Sequence, residues 1–287
     1  MKKYGIFTIL LCSLSFLGAH AEEQAPVTQS PFGMSVLVGL EAYPDSPYSS
    51  LSRGTGLAFI WDDLGYQNAA QLGHNYIRAH VTYYRERDSE QYDIDRFRNS
   101  GAVNVSFQRP FKALGEQDDY LLGVYARYDG HYNHQQLEEF ETLAITGLSL
   151  NKRFSNVNNY DFGLIAGLAY SEEEKDDDWP REVMGHGTDV LGRSGLGYYL
   201  EWKNAYTFAH NGVQLSASLS RYDGRWNYDD GQFYVVDNLQ FGIIVPLSDS
   251  KNLFRLTTEY ISRDYELDLL GFEDVLYRVG IEYIHYF

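Results

Sequence analysis

Cysteine is almost missing from this chain. The only one, Cys12, falls within the first twenty-odd residues, in a stretch with the features of a leader. The remainder can form no disulfide, no thiolate metal site and no cysteine nucleophile. A lipid anchor at Cys12 is disfavoured too, because Leu11 stands where a small residue is expected. Long apolar runs are also missing. Beyond the leader no segment reaches the roughly 18 continuous apolar residues of a transmembrane helix. Basic charge is scarce: 23 Lys and Arg face 40 Asp and Glu, a formal charge of −17. Without Lys2 and Lys3 the charge falls to about −19, which argues against nucleic acid or anionic lipid bound through a broad basic surface. Linker-like stretches are few, and nothing marks a second domain.

What is present is a leader, aromatics and alternation. Met1-Lys2-Lys3 precedes an apolar run from Ile6 to Leu17 and then Ala19-His20-Ala21. A basic start, a short apolar core and a small-x-small site read as a secretory signal peptide over residues 1–21. Residues 22–32 form a short lead-in on the periplasmic side, and residues 33–287 the folded body. The chain carries 25 Tyr and 16 Phe, the residues that build aromatic girdles at membrane interfaces.

The closing stretch alternates. Val275, Tyr277, Val279, Ile281, Tyr283, His285 and Phe287 fall on one phase; Arg278, Gly280 and Glu282 fall on the other. That is a strand with one apolar and one polar face. Twelve strands are expected, near Gly33–Tyr43, Leu51–Trp61, Asn75–Glu86, Arg96–Phe107, Tyr120–Asp129, Glu141–Phe154, Tyr160–Tyr170, Leu196–Phe208, Val213–Trp226, Phe233–Val245, Leu253–Tyr265 and Asp274–Phe287. The ninth alternates best, with Val213, Leu215, Ala217 and Leu219 against Gln214, Ser216, Ser218 and Ser220. Neither phase of Thr142–Leu150 in the sixth is clean. Connections alternate between tight turns (Gly115–Asp119, Ser155–Asn159, Ala209–Gly212, Ser248–Asn252) and longer loops, with Asp62–His74 a long exception on the tight side. The expected fold is all-β: a transmembrane, up-and-down antiparallel β-barrel of twelve strands. Only a closed barrel lets strands span lipid without unpaired edges. An even count puts both termini and the short turns in the periplasm.

The polar phases then line the lumen. They carry Glu41, Arg78, His80, Glu86, Arg127, Asp129, Glu201, Lys203, Arg255, Glu259, Arg278 and Glu282. These charges either fill the barrel as ion pairs or tune a pore. The acidic run Glu172–Asp178 is a solvated loop or a divalent-cation site with oxygen ligands. His186 and Asp189 on a Gly-rich loop, with Ser194 nearby and His131 on another loop, supply residue types for a hydrolase at the outer rim, although no motif surrounds them. Asp62-Asp63 supplies an acidic pair on the opposite side. Two alike elements, Arg127-Tyr128-Asp129-Gly130 and Arg221-Tyr222-Asp223-Gly224, read first as interface anchors and second as sugar-stacking sites.

Over Gly33–Phe287 the chain resembles Gram-negative outer-membrane β-barrels. In such proteins the terminal aromatic, here Phe287, is part of the signal read by the barrel assembly machinery. The opening Phe32-Gly-Met-Ser-Val-Leu-Val-Gly-Leu-Glu-Ala-Tyr-Pro44 resembles the first strand of the MipA/OmpV-like family. The strand count and final strand resemble a solitary autotransporter-type translocator. The resemblance implies residence in the outer membrane, with lipid, lipopolysaccharide and the assembly machinery as partners and no cofactor. The expected role is a small passive channel passing small solutes, or a structural surface protein. The alternative is a lipid or peptide hydrolase at the extracellular rim.

Overall fold

The computed structural model describes residues 30–42, 51–62, 72–89, 97–115, 120–134, 138–154, 160–175, 193–224, 233–247, 251–267 and 270–287. Those segments form twelve strands: β1 (Phe32–Ala42), β2 (Leu51–Asp62), β3 (Tyr76–Ser89), β4 (Phe97–Leu114), β5 (Tyr120–His134), β6 (Glu138–Phe154), β7 (Tyr160–Lys175), β8 (Arg193–Thr207), β9 (Gln214–Asp223), β10 (Phe233–Pro246), β11 (Asn252–Leu267) and β12 (Leu270–Tyr286). Each pairs antiparallel with its sequence neighbours, and β1 pairs with β12 to close the barrel. The seam continues past the ladder, where Phe287 N–H donates to the Phe32 carbonyl at 3.0 Å. Closure leaves no unpaired edge, which is the requirement for β structure in lipid.

All twelve expected strands exist, but several are longer than the alternation showed. β4 continues to Leu114 and β7 to Lys175. A transmembrane strand needs only about 9–11 residues, so strands of 14 to 18 residues project beyond it. The end of β7, Ser171–Lys175, is polar and gives no apolar rhythm to read. Pro110 lies in the part of β4 beyond Phe107. It has no N–H for the ladder, and the register slips there by one residue, between Pro110 and Lys112, as expected for proline within a sheet.

The end carrying Phe32 and Phe287 is called the turn end here; the other is the loop end. Gly115 and Gly212, at φ of +99° and +68°, sit in turn-end connections where a left-handed backbone is required.

The outer surface is apolar. Val36, Val38, Leu57, Phe59, Val81, Val124, Leu148, Leu168, Leu200, Phe241, Ile243 and Ile281 all point outward and are exposed. Aromatic pairs flank this band. At the turn end Phe32 meets Trp61 at 5.1 Å and Phe254 meets Tyr283 at 5.3 Å between ring centroids. At the loop end Tyr260 and Tyr277, direct cross-strand partners, meet at 5.2 Å. Lys152 lies over the rings of Tyr120 and Phe154 at 4.2 and 4.8 Å, its stem along apolar surface and its charge beside the girdle. An apolar belt between two aromatic girdles is the surface of a membrane-spanning barrel. The unclear phase of β6 resolves here: Ala144, Thr146 and Leu148 face out, while Ile145 and Ser149 face in and are buried.

Candidate functional site in the barrel interior

Among the described residues, inward positions hold three groups built on ion pairs, a buried Gln214–Thr207 hydrogen bond and two apolar clusters. The first polar group lies towards the turn end. Arg78 Nε on β3 donates to Asp62 Oδ1 on β2 at 3.0 Å. Deeper, Glu282 on β12 collects three donors. Arg255 Nη1 on β11 donates to its Oε2 at 3.2 Å, and the Ser35 hydroxyl on β1 donates to its Oε1. His80 Nε2 on β3 lies 3.2 Å from the same Oε1. A carboxylate only accepts, so His80 carries its proton on Nε2. Two strands, β1 and β2, separate β12 from β3 around the wall. The contact therefore runs across the interior.

The second group spans β4 to β8. Arg127 Nε on β5 pairs with Asp129 Oδ2 at 2.6 Å, and Asn104 Nδ2 donates to Asp129 Oδ1 at 2.9 Å. The other arm of Arg127 reaches over β6 and β7. Its Nη1 lies 3.4 Å from the Tyr199 hydroxyl and 3.9 Å from Glu201 Oε2 on β8. Tyr199 donates in turn to Glu201 at 3.3 Å. The strands beneath this span approach closely at two glycines. Gly147 and Gly167 face each other across β6 and β7, and a Cβ on either would come within 2.2 Å of a backbone carbonyl oxygen opposite. The third group joins Arg278 Nη1 to Glu259 Oε2 at 3.6 Å, with Asn238 Nδ2 also donating to Glu259.

Ion pairs of this kind hold the wall in shape. Removing charges from water is costly, and Asp129, Glu201, Glu259 and Glu282 each recover part of that cost through two or three donors. The apolar clusters add non-polar filling. Ile60, Ile244, Leu253, Ile284 and Tyr286 pack together inside the turn end. Tyr125, Ile145, Ile165, Ala169, Tyr199 and Tyr222 pack against the wall of β5 to β9. Alternation alone assigned the apolar phase to lipid and the polar phase to the interior. It did not show that Ile284 and Tyr286, on the polar phase of β12, turn inward and are buried.

The wall of β9 to β11 is different. Gln240 shares the inward face with its partners Ser218 and Glu259, yet it is exposed. Ser216, Ser218, Ser220 and Thr257 around it are partly exposed. Solvent reaches this wall from inside the barrel.

Of the residues singled out by sequence, Arg78, His80, Arg127, Asp129, Glu201, Lys203, Arg255, Glu259, Arg278 and Glu282 all occupy inward positions, and all but Lys203 join the groups above. Backbone register sets Glu41 beside Arg278 and Glu86 beside Gly54, but the side chains of Glu41, Glu86, His131 and Ser194 lie outside the described residues. So do Asp63, most of the acidic run, His186 and Asp189. Phe287 is exposed, with His285 edge-on at 5.6 Å. Among the described residues no cluster of His, Asp and Glu could hold a metal ion. Sequence reasoning missed Ser35, Asn104, Tyr199 and Asn238, since uncharged side chains on a polar phase give no signal of their own.

The two alike Arg-Tyr-Asp-Gly elements are in opposite phase. Tyr128 faces out and Asp129 in; Tyr222 faces in and is buried, its hydroxyl donating to the Gly195 carbonyl at 2.6 Å. Asp223 is also buried and accepts from Tyr198 at 2.8 Å. Tyr222 is therefore neither an interface anchor nor a stacking platform. A one-residue change of phase reverses every side chain of a strand, and identity of motif does not report phase.

No family model matches the chain, and no curated protein sequence matches it. Solved structures do resemble it. The COG4313 outer membrane channel of Pseudomonas putida F1 superimposes with a TM-score of 0.51 at 11% identity, covering 92% of this chain and all of that one. The translocator domain of the autotransporter NalP from Neisseria meningitidis gives 0.49 at 12% identity, over 90% and 89%. The β domain of the Bordetella autotransporter BrkA gives 0.47 at 12%, over 90% and 100%. At such identities the likeness is one of fold.

Proposed function

We propose that this protein is a narrow passive channel of a Gram-negative outer membrane, surrounded by lipid and lipopolysaccharide and inserted by the barrel assembly machinery. The observation that carries the reading is the solvent-exposed Gln240 on the inward face, between partly exposed Ser218 and Glu259. A barrel kept only as a structural plug has no use for a hydrated inner wall. Passage is narrow because side chains from β3, β5, β8 and β12 cross the interior. The charges are mixed and mostly paired, so weak selectivity among small ions and uncharged polar solutes is expected. The apolar cluster at the turn end is the constriction, where dewetting opposes flow. The likeness in fold to an outer membrane channel agrees with this reading.

The test is conductance of the refolded chain in a planar lipid bilayer. Stable unitary steps of small size are expected. Glu259→Gln and Arg278→Gln, which line the hydrated side, are expected to move ion preference in opposite directions. Silence from protein shown to be folded by its altered gel mobility on heating would overturn the channel.

A further inference from the structure

We infer that the lipid-facing turn end of β4 to β6 binds the headgroup of an anionic phospholipid of the phosphatidylglycerol kind, through Arg109, Lys112 and Lys152. The site lies on the outer surface, so it is separate from the channel and needs no open lumen.

The register of β4 places these charges. Arg109 pairs with the exposed Val124 and faces outward with it. Lys112 is three positions further along, and in a regular strand an odd spacing turns a side chain to the opposite face. The slip between Pro110 and Lys112 accommodates Phe111 as an extra residue. Lys112 therefore pairs with Leu122, two positions from Val124 and on the same face. A bulge re-aims side chains in this way. Arg109, Phe111 and Lys112 are all exposed, and Pro110 is buried beneath them. Lys152 flanks β5 from the other side, where its partner Tyr120 is two positions beyond Leu122. Arg109 and Lys112 stand about 7 Å apart along the ladder. Side chains of that length can meet on one phosphodiester.

The chain as a whole is acidic, but its described acids lie elsewhere. Among the described residues, outward-facing carboxylates occur only towards the loop end, at Asp223 and Asp237. The outward-facing charges of the turn end are cations. Among the described residues neither Arg109 nor Lys112 forms an ion pair, and Lys152 lies over the rings of Tyr120 and Phe154. A charge on the lipid face is costly at mid-depth and tolerated near the interface. Phe154 and Tyr160, 5.1 Å apart between centroids, mark that interface beside Lys152. A phosphodiester there supplies the acceptor oxygens that a guanidinium and an ammonium require. The exposed Val124 and Leu148, cross-strand partners on β5 and β6, offer its acyl chains an apolar surface.

The probe is an equimolar mixture of dioleoyl phosphatidylglycerol and dioleoyl phosphatidylcholine, which share their acyl chains and differ in net charge. It is added to the refolded full chain in detergent micelles, and native mass spectrometry counts the lipids retained. Wild type is expected to retain phosphatidylglycerol in about fivefold excess or more. Arg109→Gln with Lys112→Gln should abolish most of that preference, at about fivefold for each charge lost near an anionic headgroup. Lys152→Gln should remove a further part. Arg85→Gln, exposed towards the loop end, should leave the preference unchanged. These are surface changes that keep side-chain length, and heat-modified gel mobility checks each fold. Glu116, Asp118 and Asp119 follow in the connection to β5, outside the described residues. If those carboxylates rather than a lipid satisfied the cations, wild type would show no preference, which would overturn the site. Full preference in the double variant, or an equal loss in Arg85→Gln, would overturn it too. Silence in the planar bilayer with the preference intact refutes the channel alone.

Discussion

His80 and Glu282 meet at 3.2 Å although they are 202 positions apart in the sequence and two strands lie between theirs around the wall. Glu282 also receives Arg255 and Ser35, so one carboxylate ties β1, β3, β11 and β12 together beside the closing seam. Replacing Glu282 by Gln leaves the Arg255 cation facing a neutral amide inside the barrel. The expected loss is about 3 kcal/mol, the scale for breaking one side of a buried pair. Urea unfolding of the barrel in lipid vesicles measures it. A variant as stable as wild type would mean that interior water replaces the carboxylate. His80→Gln, which keeps a donor near Oε1, should cost much less.

Gly147 and Gly167 make a second, independent demand. The partner backbone occupies the space a Cβ would need, at 2.2 Å from either position. Gly147→Val must separate β6 from β7 or bend them. The cost expected from overpacking is roughly 1–3 kcal/mol, with slower folding into vesicles. The same substitution at Gly39, where a Cβ would meet only the Val279 carbonyl at 3.7 Å, should be far milder. Equal effects at both positions would show that β propensity decides, not strand approach.

Sequence disclosed the fold because lipid imposes a simple rule on the outer face. Every second residue must be apolar, so Leu215, Ala217 and Leu219 reveal β9, and Val279, Ile281 and Tyr283 reveal β12. The interior imposes no such rule. A charge there needs a partner, but pairing between β3 and β12, or β5 and β8, depends on closure of the sheet, which no local pattern records. Hence Arg127 and Glu201 were legible as interior residues and illegible as partners. Tyr286 and Ile284 were harder still, because an apolar residue on the inward phase resembles noise in the alternation. The far end of β7, residues 171–175, is Ser-Glu-Glu-Glu-Lys and carries no apolar rhythm at all.

The turn-end cluster yields a prediction for transport. Tyr286 is 3% exposed and packs with Ile60, Ile244, Leu253 and Ile284 inside the barrel. If that cluster is the constriction, Tyr286→Ala should enlarge the unitary conductance and lower the barrier to wetting. Truncating a large core aromatic costs about 3–5 kcal/mol where the site cannot collapse, so folding must be checked in the same preparation. Unchanged conductance from folded Tyr286→Ala would place the narrowest point elsewhere, most naturally at the Arg127–Glu201 bridge.

The two faces of the wall can be separated by one pair of substitutions. Ile281 points outward and is exposed, on β12 between the girdle aromatics Tyr283 and Tyr277. Ser218 points inward on the hydrated wall beside Gln240. An arginine on the lipid face near mid-depth costs roughly 2–4 kcal/mol, whereas an arginine in a hydrated interior keeps its water. Ile281→Arg should therefore lower stability in vesicles by that amount, and Ser218→Arg should leave it near wild type while reducing conductance. In a detergent micelle, which deforms around a charge, the Ile281→Arg penalty should shrink. A larger penalty for Ser218→Arg than for Ile281→Arg would mean that the assignment of inner and outer faces is reversed.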